Sequence, residues 1–166
     1  MGACPNNKGN DMKTTIVIAA GLVSLGIVGA TPAAAFHLSP PGDFSADGTT
    51  SATKNGITLP CKAHFDGTVN ADGVGAVTGG QFTDNGAQGC TLVSLQNLPW
   101  EVDATGKKNV LIKNVTFSTP IGSCGPGDVV GKIKNGHLTL VNVSLPPDCQ
   151  VSADVITTPT VKIKRN

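Results

Sequence analysis

The chain has 166 residues, enough for one domain and too few for two of ordinary size, and carries a formal charge of only +1. Charged residues make up 14% and aromatics 4%, with no Tyr, which argues against an electrostatically steered binder of nucleic acid or anionic lipid and against a base-stacking platform. The 21 Gly and 11 Pro, set among many Thr and Val, point to short strands joined by turns.

Lys13 precedes an apolar run over 16–30, and Ala33-Ala34-Ala35 follows it. A basic start, an apolar centre and a small-residue exit predict a signal-peptide helix, with cleavage after Ala35 leaving Phe36 first. The run is shorter than the roughly 20 residues that span a bilayer, so no transmembrane segment is expected after cleavage. The chain thus divides into an extension and leader over 1–35 and a single β domain over 36–166. Residues 1–11 fit no region of a signal peptide, and Met12-Lys13 makes a better start. Loss of Lys8, Asp11 and Lys13 leaves a formally neutral mature chain.

Residues 36–53 read as irregular at first, because Pro40-Pro41-Gly42 forbids regular structure; a first strand is expected only over 49–53. The organising strand follows. Ile57, Leu59, Cys61, Ala63 and Phe65 alternate with Thr58, Pro60, Lys62, His64 and Asp66, so one face can be buried and the other wetted. Asn55-Gly56 before it and Asn70-Ala71-Asp72-Gly73 after it are turn chemistry. Pro60 lacks an N–H, which predicts an edge or bulge there. Further strands are expected over 74–83, 90–95, 97–104 and 110–118. In the last of these Leu111, Lys113, Val115 and Phe117 are in phase. Residues 119–128 read as a loop. Strands over 129–134 and 137–145 flank Asn135-Gly136, the strongest short hairpin pattern in the chain. Cys149, Val151, Ala153 and Val155 alternate in a penultimate strand, and 160–164 gives a short last one. The fold class expected is all-β: an antiparallel β-sandwich or jelly-roll-like barrel with two disulfides, preceded by the signal-peptide helix.

Four cysteines follow the leader: Cys61, Cys90, Cys124 and Cys149. An even count in an exported chain reads as two disulfides. Of three pairings, Cys61–Cys90 with Cys124–Cys149 is favoured because it closes loops of comparable size. The cysteines include no C-x-x-C clip, so a metal site is not expected. Trp100, the only Trp, is assigned to the core with Phe65 and Phe117.

No catalytic constellation stands out. His37, His64 and His137 are scattered, the last two on the wet faces of strands. Asp43, Asp47, Asp72, Asp84, Asp128 and Asp148 read as turn formers. Asn114-Val115-Thr116 and Asn142-Val143-Ser144 match the glycosylation sequon, but the leader and composition look bacterial and no use of them is expected. No catalytic residue, cofactor or metal is assigned.

Several short motifs combine into one pattern: N-G-I-T-L-P-C from Asn55 and F-D-G-T-V from Phe65, then L-P-W at 98–100, C-G-P at 124–126 and C-Q-V-S at 149–152. Over about residues 36–158 the chain resembles the small secreted bacterial proteins known as protein activator of alkane oxidation. That resemblance implies an exported, non-enzymatic accessory protein for growth on alkanes, with a surface, interfacial or biofilm-matrix role. It brings no catalytic residues. Cys61, Cys90, Cys124, Cys149 and Trp100 match as structural positions. The expected location is secreted, at the cell surface or in the periplasm. The expected partner is a hydrophobic interface or a second copy, and not nucleic acid. The alternative is a pilin-like or adhesin subunit assembled by strand addition, with the segment from Phe36 as the donated strand.

Overall fold

The structure is a computed structural model, and it describes residues 35–166; the leader therefore lies outside the described residues but for Ala35. Among the described residues there are eleven strands: β1 (Phe36–Ser39), β2 (Gly42–Lys54), β3 (Ile57–Val69), β4 (Gly75–Asp84), β5 (Ser94–Gln96), β6 (Trp100–Ala104), β7 (Asn109–Thr119), β8 (Gly122–Lys134), β9 (His137–Leu145), β10 (Cys149–Thr158) and β11 (Lys162–Arg165). A 3-10 turn, Cys90–Leu92, lies between β4 and β5.

The sheet runs β7-β6-β4-β3-β2-β10-β9-β8, and β8 pairs back onto β7. It is therefore a closed eight-stranded barrel in which every strand is antiparallel to its neighbours. The strands follow one another around the ring as an up-and-down meander, and the seam is β2 against β10, from Lys54↔Cys149 to Ser45↔Thr158. The all-β class is as expected, and of the two expected architectures the sheet forms a barrel and not a sandwich, closed as a meander and not as a jelly roll. The alternation of apolar and polar residues is the same in a sandwich and a barrel. What separates them is the pairing of the first and last strands, which no local pattern reports.

Two turns follow their sequence pattern closely. Asn55-Gly56 and Asn135-Gly136 both take positive φ at both residues (51° and 75°; 50° and 80°), as a two-residue hairpin requires. Other segments depart from expectation. Residues 36–53 are strands and not irregular: only Pro40 and Pro41 separate β1 from β2. The expected strand over 90–95 becomes the 3-10 turn and the short β5 because Gly89 is left-handed (φ 104°) and the Asp84 carboxylate accepts the Cys90 N–H at 2.9 Å. Asn97 (φ 56°) breaks 97–104, so β6 begins only at Trp100. The expected loop over 119–128 shrinks to residues 120–121, since β8 extends to Gly122 and pairs there with Thr119.

The phase of β7 also differs. Val110 and Ile112 point inward, then Val115 and Phe117 do; Leu111 and Lys113 do not share their face. Asn114 sits in the left-handed region (φ 55°) at a register shift, which moves the inward set by one residue. Pro60 lies one residue beyond the β3–β4 ladder, which ends at Cys61↔Asp84, so that side of β3 is locally an edge.

Turns at 70–74, 105–108 and 135–136 mark one end of the barrel. There β1 and β11 pair as a separate two-stranded ribbon, Phe36↔Arg165 to Ser39↔Lys162. The ribbon carries Leu38 and the adjoining Val161 into the core, and the Leu38 N–H donates to the Gly73 carbonyl at 2.8 Å. The opposite end holds the turns at 55–56, 85–93, 120–121 and 146–148. Both disulfides lie toward that end.

Candidate functional site

The inward positions of the eight strands build one apolar interior. Val110, Val129 and Val155 are almost fully buried, and Trp100, Ile112, Val115, Phe117 and Ile133 surround them. Trp100 is held by its indole N–H, which donates to the Gln96 carbonyl at 2.8 Å. Phe117 is buried, whereas Phe65 is half-buried and meets Phe82 edge to face, ring centres 5.6 Å apart. The phenyl ring of Phe44 lies over Gly67, where any Cβ would collide with it. A void of about 140 Å³ remains inside, lined by residues that include Ala46, Phe65, Trp100, Phe117, Val129 and Val155. Eight strands enclose just enough space for side chains or for one small ligand.

Cys61 is bonded to Cys90 and Cys124 to Cys149, each pair with Cα atoms 5.7 Å apart. The first ties the 3-10 turn onto β3, and the second ties the start of β8 to the start of β10. Lys54 adds a polar clamp that its sequence position does not reveal. Its ammonium group, mostly shielded, pairs with Asp148 and donates to the Ser123 carbonyl at 3.2 Å. The disulfides suit an oxidising extracellular or periplasmic setting.

The outer wall is polar and rich in Thr. A membrane-spanning barrel carries an apolar band there, the reverse of this arrangement. No helix among the described residues is long and apolar enough to cross a membrane. His64, half-buried, and His137, exposed, stand on this wall, each beside a carboxylate. His64 Nδ1 lies 2.6 Å from Asp47, and its Nε2 lies 3.3 Å from Asp66; His137 Nε2 pairs with Asp154. The hydrogen bond to Asp47 raises the His64 pKa above its ordinary 6.5, outweighing slight desolvation, and the negative fields of Asp47 and Asp66 add to it. Asp47 is thus a mid-strand residue of β2 and not the turn former expected, and Asp43 also lies in β2. Asp128 likewise lies within β8, where it accepts the Asn114 N–H of β7, while Asp84, the last residue of β4, accepts the Cys90 N–H. Lys113 bridges Glu101 at 2.5 Å and Asp103 at 2.6 Å across β6 and β7; both hydrogen bonds push its pKa up. Each of these clusters joins one base to one or two acids, mostly across neighbouring strands. Among the described residues no group of three or more His, Cys, Asp or Glu side chains is placed to hold a metal ion.

Among the described residues the large apolar side chains most exposed are Ile57, Leu92 in the 3-10 turn, Val130, Val141 and Ile156. The last three stand on the outer faces of the adjacent strands β8, β9 and β10. Continuing the register of Lys132↔Thr139 sets Val130 across from Val141.

Comparison with curated proteins and with solved structures returned no match. A family model described as "Alkane oxidation protein activator PraA/PraB-like" matches residues 12–165, nearly the whole chain. The chain belongs to that family of alkane oxidation protein activators.

Proposed function

We propose that this protein is an exported, non-enzymatic accessory of alkane utilisation, acting from the cell surface or biofilm matrix where water meets hydrocarbon. Family membership carries the alkane role. The mode of action is supported by the outer wall, a nearly neutral, Thr-rich surface broken by Val130, Val141 and Ile156 on adjacent strands. Such side chains gain when they leave water, and the cross-linked barrel can present them at an oil boundary without unfolding. The ion pairs on the wall link strands and assemble no nucleophile with a base, which favours an accessory over a catalyst.

Drop tensiometry at a hexadecane–water boundary tests this reading. The purified, oxidised protein is expected to lower the tension, and the triple variant Val130→Thr, Val141→Thr, Ile156→Thr to lower it less while keeping its circular-dichroism spectrum. No effect of the parent protein on the tension would remove the interfacial role. Fractionation of producing cells into periplasm, surface and medium tests export.

The pilin-like alternative has less support. The segment from Phe36, considered as a donated strand, is used within its own chain as β1 and β2. The eight barrel strands pair on both sides, so among the described residues only the ribbon and β5 offer an edge to a partner.

A further inference from the structure

We propose that the barrel interior is a binding site for one small neutral hydrocarbon, the size of benzene or of a short alkane. The void measures about 140 Å³. An apolar protein cavity of about 150 Å³ stays dry and takes up benzene, whereas pockets for drug-sized ligands run from about 300 Å³ upward. The volume therefore admits a ring or chain of roughly six carbons and excludes an intact long-chain alkane.

The lining decides the chemistry. It carries no titratable side chain, and most of it is aliphatic or aromatic. Three of the hydroxyls at its margin are already engaged. Thr157 Oγ1 accepts the Val161 N–H at 2.9 Å, Thr119 Oγ1 donates to the Gly122 carbonyl at 2.8 Å, and Ser152 Oγ donates to the Asn142 side-chain carbonyl at 3.1 Å. A polar guest would leave its water shell and find few partners in exchange, which disfavours its entry. A hydrocarbon gives up no hydrogen bond on entry and regains dispersion contacts that the empty lining lacks. Water, which needs two to four polar partners, is a poor occupant for the same reason. The ribbon of β1 and β11 covers one end of the space, and the disulfide-tied turns lie at the other.

The site reports on itself, because Trp100 is the only Trp in the chain and its indole lines the void. The test is titration of the oxidised protein with benzene and with n-pentane, using phenol as the polar near-isostere. Methyl NMR of Val110, Val129 and Val155 and Trp100 fluorescence are the readouts. Saturable shifts at those interior methyls are expected with both hydrocarbons, with phenol at least about tenfold weaker. Ala46→Leu fills the void and is expected to abolish the shifts while its disulfides and strand content persist. Should that variant not fold, Val129→Ala, which widens the void, is expected to extend binding to toluene. Unmoved interior methyls at hydrocarbon saturation would overturn the proposal. So would shifts confined to the outer wall, or undiminished binding in a folded Ala46→Leu protein. The proposed interfacial action rests on the outer wall and the tension measurement, so each reading can fail while the other stands.

Discussion

Gly48 faces Val155 at the middle of the β2–β10 seam. A Cβ there would fall on the Asp154 carbonyl oxygen and within 2.7 Å of the Val155 Cα. Backbone cannot rotate aside as a side chain can. Gly48→Ala is therefore expected to destabilise at the upper end of, or beyond, the ~1–3 kcal/mol typical of overpacking. Gly79→Ala is the matched control: its Cβ would meet only the Asp66 side chain at 3.5 Å, and φ is ordinary there. Chemical denaturation of the two variants side by side checks the contrast, with Gly79→Ala close to the parent. His64 gives a pH dependence. Its raised pKa means that the folded state holds the proton more tightly than the unfolded chain does. The stabilisation is fully present below the ordinary value of 6.5 and fades as pH rises through the raised one. Asp47→Asn should shift the His64 NMR titration back downward and flatten that decline in melting temperature.

The β1/β11 ribbon depends on Leu38, which is 3% exposed and shares the core with Val69, Val102 and Val161. Leu38→Ala should cost about 2–4 kcal/mol if the whole barrel unfolds with the ribbon, as core truncations do. If the ribbon opens alone, amide exchange in β1 accelerates while that of β2 and β10 does not; hydrogen exchange on the variant distinguishes the two. Elements of this kind mark what a sequence can and cannot convey. The alternation in β3 and β10 and the two Asn-Gly hairpins were legible, because side-chain direction and positive φ are local properties. The inward phase of β7 was not. Asn114, and Asn142 (φ 47°) in β9, turn left-handed inside long strands and slip the pattern by one residue. The ribbon was equally hidden, because β1 and β11 are each four residues long and find their partner only across the full domain. The interior void was invisible for a related reason: it is what the packing of many strands leaves over.

At the scale of the molecule, the two ends of the barrel are secured differently. One has covalent ties and the Lys54 clamp; the other has the noncovalent ribbon. Replacing Cys124 and Cys149 together by Ala releases a loop of sequence separation 25, for a loss of roughly 3–4 kcal/mol in the chain-entropy picture. The denaturation midpoint should fall accordingly, with faster amide exchange at the starts of β8 and β10 and little change in β1. The β2–β10 seam has a consequence for how the chain is made. A polypeptide made amino end first presents β2 long before its mate is synthesised. Through that interval β3 covers one flank of β2 and the other stays bare, a ready template for pairing with a neighbouring nascent chain. Ring closure awaits the arrival of the distal segment, so premature termination before Cys149 yields an unsealed sheet prone to clumping and not a smaller version of the native protein.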